Sequence, residues 1–291
     1  ENVTKDELLN KAVLADYILA SGRLSIDKDI VDVATNLKMV QRTGVGLDTL
    51  DLDYLKEKKI PVYVNQGINS QSVAEHTLLL MLATLRRLPI IHGNMKVGIW
   101  DKQKQGVLTN SLHGKTIGLI GAGTIGKAVA QLLGNFNVNI LYYDTIRLPR
   151  DREIELKMEF APINDLLLNA DIVSLHCALN DQTLKLIGKD ELSMMKKGSI
   201  IINTARGRLI DESALIPFLR CGHIKAAGLD VFEKEPISSD SELLKMDNVI
   251  VTPHIAGITH ESFYEMMAAS MFNIKMFEEG IWEIIEDRKI Q

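Results

Sequence analysis

The chain has 291 residues, a mass of 32.4 kDa and 46% hydrophobic against 24% charged residues, a length and balance that suit two globular domains and exclude a disordered or membrane-embedded polypeptide. A formal net charge of -5 and a pI near 5.9 argue against a surface for nucleic acid, which needs clustered Lys and Arg. The two cysteines, Cys177 and Cys221, offer neither a disulfide framework nor a Cys-x-x-Cys, so a reducing, cytoplasmic location is expected.

Short apolar runs alternate with helical patterns along the chain, which predicts an α/β protein with parallel sheets. The sequence starts at Glu1 without an initiator Met, so targeting is not read from its beginning. A first series has strands at Tyr17-Ile-Leu-Ala-Ser, Leu37-Lys-Met-Val-Gln and Val62-Tyr-Val-Asn, with helical segments near Ile26 to Asn36 and Leu50 to Lys58, and reads as a small doubly wound domain. From Ser72 a helix runs through Leu85 that is apolar nearly all round, so protein must cover it; a domain junction or a dimer interface would do so. Its longest apolar stretch, Thr77 to Leu85, is too short to span a bilayer and is flanked by Glu75, His76, Arg86 and Arg87.

A second series has strands at Thr116 to Ile120, Val138 to Tyr143, Ile172 to Leu175, Ser199 to Asn203, Ala226 to Leu229 and Val249 to Thr252. That order fits a dinucleotide-binding fold, whose ligand lies beyond the carboxyl ends of the strands. A last amphipathic segment, Glu261 to Glu279, is expected to cross back to the first domain. Directly after the first of these strands stands Gly121-Ala-Gly123-Thr-Ile-Gly126, followed by a helical run. Gly121 suits a tight turn, Gly123 a close backbone approach to a pyrophosphate held by the helix N-terminus, and Gly126 the packing of helix on strand. Asp144 ends the next strand at about the 20-residue offset of an acid that binds ribose hydroxyls. A carboxylate there repels a 2′-phosphate and favours NAD over NADP, while Arg147 is the feature that speaks for NADP. The alternatives are a Gly-rich turn with a surface Asp, or a flavin site.

The remaining strand ends read His176, Thr204-Ala205-Arg206-Gly207, Asp230 and Pro253-His254. Reduction of a 2-oxo acid needs a cation for the carboxylate and an acid for the developing alkoxide; Arg206 and His254 match these demands. A carboxylate beside the imidazole would orient it, and either Glu235 or Asp230 suits that place. His176 is assigned to the cofactor wall, and His76, His92, His113, His223 and His260 to structural roles. Cys177 has no partner base and is not read as a nucleophile, and no His and Cys cluster suggests a metal site.

Taken together these segments resemble the D-isomer-specific 2-hydroxyacid dehydrogenases over about residues 37–280. The resemblance rests on Arg42-Thr-Gly-Val-Gly-Leu-Asp48, Asn69-Ser-Gln-Ser-Val-Ala-Glu-His76, the glycine fingerprint, Asn203-Thr-Ala-Arg-Gly-Arg-Leu-Ile-Asp211, Gly228-Leu-Asp-Val-Phe-Glu-Lys-Glu-Pro236 and Thr252-Pro-His-Ile-Ala-Gly257. It implies an α/β fold class, with a Rossmann doubly wound parallel sheet at residues 91–261 for NAD and a smaller flavodoxin-like α/β substrate domain at 1–90 and 262–291. It implies hydride transfer between NAD(H) and a small D-2-hydroxy acid or 2-oxo acid of the phosphoglycerate, glycerate, glyoxylate or lactate type. Arg206, Glu235 and His254 would be catalytic, which prefers Glu235 over Asp230 as the His254 partner and moves Asp230 towards the nicotinamide.

Cofactor contacts are implied for Gly121, Gly123, Thr124, Ile125, Gly126, Asp144, His176, Cys177, Ala178, Thr183, Thr204, Ala205, Arg206, Asp230, His254 and Gly257. Substrate contacts are implied for the backbone of Val45 and Gly46, and Arg42 is considered for a substrate phosphate against an ordinary solvated role. A homodimer built on the nucleotide-binding domain is also implied. Formate dehydrogenases carry Gln in place of Glu235, which disfavours that branch. The chain departs from the family pattern at Ala178, where Pro is usual, and enters its first domain one strand and one helix late. A NAD-sensing, corepressor-like binding protein of the same fold is the rival function, and phosphite oxidation a third chemistry.

Overall fold

The computed structural model describes residues 4–22 and 25–290, which fall into two compact units, Glu1–Asn69 with Thr259–Gln291 and Ser70–Ile258. The first unit opens with α1 (Lys5–Ala12), β1 (Tyr17–Ala20), α2 (Lys28–Val33), β2 (Met39–Arg42), α3 (Leu52–Glu57) and β3 (Val62–Tyr63). Each of these helices starts at a side-chain cap: Thr4, Asp27 and Asp51 accept from the N–H groups of Glu7, Ile30 and Tyr54. The strands form a parallel sheet in the order β1-β2-β3.

The second unit begins with three helices, α4 (Ser70–Arg86), α5 (Leu88–Lys96) and α6 (Lys102–Gly106). It continues as β4 (Thr116–Ile120), α7 (Thr124–Leu133), β5 (Asn139–Tyr143), α8 (Arg150–Leu156), β6 (Met158–Phe160), α9 (Ile163–Asn169) and β7 (Ile172–Leu175). The remaining elements are α10 (Lys189–Met194), β8 (Ser199–Asn203), α11 (Glu212–Arg220), β9 (Ile224–Leu229) and β10 (Val249–Val251). All seven strands are parallel, in the order β10-β9-β8-β7-β4-β5-β6, so the winding reverses between β4 and β7 and opens a crevice at their carboxyl ends. Both faces of this sheet are covered: Ile117, Leu119, Ile200 and Ile202 belong to one core, Ile120, Val173, Leu175 and Ile201 to the other.

Two features differ from the sequence pattern. There are seven strands rather than six, because β6 is only three residues long and carries the exposed Glu159 at its middle, too little for a periodic signal. The units divide at 69 and 258, not 90 and 261, because α4 packs on α7 and over β8 to β10. The approach is close: a Cβ on Gly228 of β9 would stand 3.0 Å from the Leu80 Cβ. No helix among the described residues is long and apolar enough to cross a membrane.

The chain returns to the first unit with α12 (His260–Glu278). Successive strand residues point to opposite faces, so Ile18, Val40 and Val62 pack with Ile30, Val31 and Leu55 of the early helices, while Tyr17, Met39 and Tyr63 meet Met276, Phe277 and Ile285 on the other side. The three-stranded sheet is thereby covered on both faces, by different parts of the chain.

In the second unit a buried carboxylate ties α8 to β5. Glu153 accepts from Arg147 (2.8 and 3.1 Å), from the Tyr142 hydroxyl (2.9 Å) and from Arg150 (3.1 Å). The Arg147 bond above all, opposed by burial and helped by Tyr142 and Arg150, holds its ionisation down at about 2 against an ordinary 4.5. A lowered folded value means that the stabilisation is complete above the unfolded value and fades as pH falls towards about 2. Glu153→Gln is therefore expected to lower Tm by a few degrees at neutral pH, with the gap to the unaltered protein closing in strong acid. Thermal melts across pH check this, and a constant gap would refute it.

Candidate active site

The turn from β4 into α7 is shaped by what its glycines exclude. Gly121 has φ +103°, and a Cβ there would fall 2.6 Å from the Cys177 backbone nitrogen and 2.7 Å from the His176 carbonyl oxygen. A Cβ on Gly126 would lie 2.1 Å from the Gly121 carbonyl oxygen, so the helix can start where it does only with glycine. Gly123, by contrast, has open space on its Cβ side, and it caps α7 without a side-chain hydrogen bond. The first N–H groups of α7, at Thr124 and Ile125, thus begin a helix whose positive end is available to an anion. Asp144, just past β5, accepts from the Ala122 N–H at 2.7 Å and from the Ile146 N–H at 3.3 Å, which fixes its carboxylate against the glycine turn. Arg147 is already engaged by Glu153, which weakens the case for a 2′-phosphate partner.

The His176 side chain is half-buried behind this turn, with Nε2 2.9 Å from Ser174 Oγ and a buried Nδ1 that has no hydrogen-bond partner among the described residues. Burial pushes its ionisation down to about 4, so the ring is neutral near pH 7. Burial, with a smaller contribution from the Asp144 charge, pushes the Cys177 thiol up to about 11, leaving it a thiol rather than a nucleophile. In the following loop Thr183 donates to the Ala178 carbonyl at 2.7 Å and accepts from the Asn180 N–H at 2.8 Å, closing a turn at Ala178.

Beyond β8, Asn203 shapes the loop that carries Arg206. Its amide donates to the Arg206 carbonyl (2.8 Å), its side-chain oxygen accepts from the Ala205 N–H (3.0 Å), and its carbonyl accepts from the Asp230 N–H (2.9 Å). Thr204 lies 2.8 Å from Thr77 of α4 through their hydroxyls. The loop then runs tightly against the segment that follows β9, since a Cβ on Gly207 would overlap the Phe232 backbone at 1.8 Å. Arg206 donates to the Ala205 carbonyl at 2.7 Å, and its charge is felt by Glu235.

Asp230 and Glu235 take different roles. Asp230 is fully buried and accepts from the Thr252 hydroxyl (2.5 Å) and from the N–H groups of Ile255 (3.0 Å) and Ala256 (2.9 Å). These bonds, with the His254 N–H donating to the Asp230 carbonyl at 2.7 Å, hold a turn in which His254 takes φ +54°, an uncommon conformation outside glycine; Gly257 follows it. The turn brings His254 Nδ1 to 2.7 Å from Glu235 Oε2, while the other Glu235 oxygen accepts from the Phe232 N–H at 3.1 Å. Burial tends to raise the Glu235 ionisation, but the His254 bond and charge, the Phe232 N–H and the Arg206 charge together leave it below the ordinary value. An ionised carboxylate only accepts, so Nδ1 carries the hydrogen and Nε2 remains for a substrate.

Three residues at this edge were not singled out by sequence reasoning as site residues: Asn203, Thr252 and His76. His76, read as structural, places Nε2 2.9 Å from Thr252 Oγ1 and 3.7 Å from Asp230. Arg42, Val45 and Gly46 belong to the first unit. Arg42 is buried at the end of β2 and donates to the Ser21 carbonyl at 2.6 Å, and Val45 is exposed in the turn that follows.

Residues 78–256 match the model of the family described as D-isomer specific 2-hydroxyacid dehydrogenase, NAD binding domain. The chain is 41% identical over 262 residues to a D-3-phosphoglycerate dehydrogenase of Methanocaldococcus jannaschii, a match covering 89% of this chain and 49% of that protein. It is 39% identical over 264 residues to a hydroxypyruvate reductase of Thermotoga maritima, covering 90% and 84%. The chain thus spans about half the length of the phosphoglycerate dehydrogenases it matches. Among solved structures, the D-lactate dehydrogenase of Aquifex aeolicus complexed with NAD and lactic acid is similar with a TM-score of 0.88 and 31% identity, covering 97% of this chain and 88% of that one.

The glycine turn, the bare N-terminus of α7 and Asp144 fit NAD. Asp144→Ala is expected to weaken NADH binding about tenfold and to narrow its advantage over NADPH, as read by fluorescence titration with both nucleotides. Unchanged affinity for both would remove Asp144 from the site.

Proposed function

The chain belongs to the D-isomer specific 2-hydroxyacid dehydrogenase family, and from that premise we propose that it is an NAD-dependent oxidoreductase acting between a small D-2-hydroxy acid and its 2-oxo acid. The observation that carries the proposal is the 2.7 Å bond between His254 and Glu235 at the sheet edge where Arg206 also stands. Bound NAD(H) supplies the hydride donor or acceptor.

In the direction of reduction, the planar Arg206 guanidinium grips the substrate carboxylate and draws electron density from the neighbouring carbonyl. His254, protonated, gives its Nε2 proton to the carbonyl oxygen as negative charge develops there. Glu235 keeps Nδ1–H in place and stabilises the imidazolium, and being held below the ordinary carboxyl range it remains an anion throughout the neutral region. Oxidation runs through the same groups in reverse, with His254 as base. The backbone of Val45 and Gly46 is assigned to a substrate carboxylate by the family likeness. The substrate belongs to the phosphoglycerate, glycerate/hydroxypyruvate, glyoxylate or lactate type, in keeping with the names of the relatives.

NADH oxidation with pyruvate, glyoxylate, hydroxypyruvate and phosphohydroxypyruvate tests the activity. Turnover of at least one acid is expected, with His254→Ala lowering kcat by about 10²–10⁴ while NADH still binds. NADH binding without turnover of any of the acids would sink the reading. Glu235→Gln keeps a hydrogen-bond acceptor but removes the anion that favours imidazolium. It should lower kcat by roughly 10-fold or more while NADH affinity, read by fluorescence, stays unchanged.

We also propose a homodimer through α5, α6 and the segments around them, where Val97, Trp100 and Val107 are 72%, 75% and 82% exposed. Light scattering should give twice the chain mass, and Trp100→Glu should give monomers; a monomeric unaltered protein would rule this out.

A further inference from the structure

Helix α4 brings two consecutive polar residues to the carboxyl edge of the seven-stranded sheet. Each bonds the hydroxyl of a threonine that stands one residue beyond a strand, Thr204 after β8 and Thr252 after β10. Thr77 is fully buried and donates to the Val73 carbonyl at 2.8 Å, so across the 2.8 Å to Thr204 it is the Thr204 hydroxyl that donates. His76 keeps 13% of its side chain exposed and places Nε2 2.9 Å from Thr252 Oγ1. The helix is fixed beside these contacts by the close approach of Leu80 to Gly228 of β9.

A chain of donors runs from His76 to the turn that carries His254. The Thr252 hydroxyl has one hydrogen, and it goes to Asp230 at 2.5 Å. Its oxygen can then only accept from the imidazole, so Nε2 of His76 carries a hydrogen. His254 is arranged the other way, with the hydrogen on Nδ1 directed to Glu235. At 3.7 Å His76 is too far from Asp230 for a direct hydrogen bond, and it acts on that carboxylate through Thr252. Thr252 is engaged at every polar atom: its N–H donates to the Leu229 carbonyl (3.0 Å), its carbonyl accepts from the His254 N–H (3.1 Å), and its hydroxyl joins Asp230 to His76. Without the His76 donor the hydroxyl is released from the direction that binds Asp230, the residue whose bonds to Ile255, Ala256 and the His254 N–H hold the turn.

We infer that His76 is a positioning residue for His254: from α4, through the Thr252 hydroxyl and Asp230, it fixes the turn that aims the imidazole. Its catalytic consequence rests on the proposed activity, while its geometric part, the orientation of the His254 ring, does not depend on the substrate. A misaimed Nε2 slows proton transfer without loosening the Arg206 grip on a substrate carboxylate, so the effect falls on kcat rather than KM.

The test compares the unaltered chain with His76→Leu, His76→Gln and Thr252→Val in NADH oxidation with the best 2-oxo acid. NADH affinity is read by fluorescence, Tm by thermal melting, and the His254 ring by NMR of histidine-labelled protein, its signal assigned with His254→Ala. His76→Leu removes the donor and is expected to lower kcat about tenfold, with KM and NADH affinity changed less than about twofold, and to shift the His254 signal. Glutamine carries an N–H at nearly the reach of Nε2, so His76→Gln should restore kcat to within about threefold and return the signal. In the Thr252→Val background, where the relay is already cut, His76→Leu should change kcat less than about twofold further. A residue that only stabilises the fold would lower Tm and leave kcat and the His254 signal unmoved. That result, or a tenfold loss that persists in the Thr252→Val background, overturns the inference alone. An unaltered chain that binds NADH but turns over no 2-oxo acid overturns the proposed activity; the His254 signal then decides the inference, and a signal unshifted in His76→Leu overturns it too.

Discussion

Asp230 is a carboxylate with no exposed surface, and such a group is tolerated only where donors replace the water it has lost. Here the donors are the Thr252 hydroxyl and two successive backbone N–H groups, at Ile255 and Ala256. Satisfying one buried group therefore dictates the path of the chain after β10, including the positive φ at His254. An imidazole in an ordinary extended strand extension would point elsewhere. The bond to Glu235 depends on this turn, so the group that directs the histidine and the group that pairs with it are two different carboxylates. His76 of α4, within reach of Thr252 and Asp230, adds a third element to the same arrangement.

The parallel sheet supplies the second constraint. Its strands are buried on both faces, so their interiors accept almost nothing but apolar side chains, and polar chemistry is displaced to the carboxyl ends. The close approaches at Gly121, Gly126 and Gly207 show how little space remains there: at each, a single methyl group would collide with backbone. Backbone collisions cannot be relieved by a rotamer change, which makes these glycines requirements of the fold before they are requirements of any ligand.

Charges near the glycine turn are largely committed. Arg147 is held by the buried Glu153, Asp144 by the Ala122 N–H, and His176 is kept neutral by burial. What remains available is the bare N-terminus of α7, an arrangement suited to one kind of anion. In the first unit the same logic appears with neutral groups, where amides of Gln41, Asn65 and Asn273 satisfy one another and the carbonyls of a turn.

Period and punctuation in the sequence carry the strands from β4 onward, the glycine turn, and the candidate residues at the strand ends, because these depend on local patterns that the chain repeats wherever a parallel strand is buried. β6 escaped because three residues with an exposed middle leave no period to read. The place of α4 escaped because a largely apolar helix states that it is covered but not by what. Residue type alone admits both Glu235 and Asp230 beside His254, and the family resemblance prefers Glu235; the distances agree, with Glu235 2.7 Å from His254 and Asp230 saturated by a turn. Asn203, His76 and the Asn65 cluster are legible only in three dimensions. A side-chain amide or imidazole has many acceptable partners, and which one it meets is decided by strands and helices far apart in the chain. Sequence alone thus determined the architecture and the chemical class of the edge residues, since both follow from local periodicity and residue type; the tertiary structure decided the pairings, since hydrogen bonds are set by separation and direction between segments that the sequence does not place together.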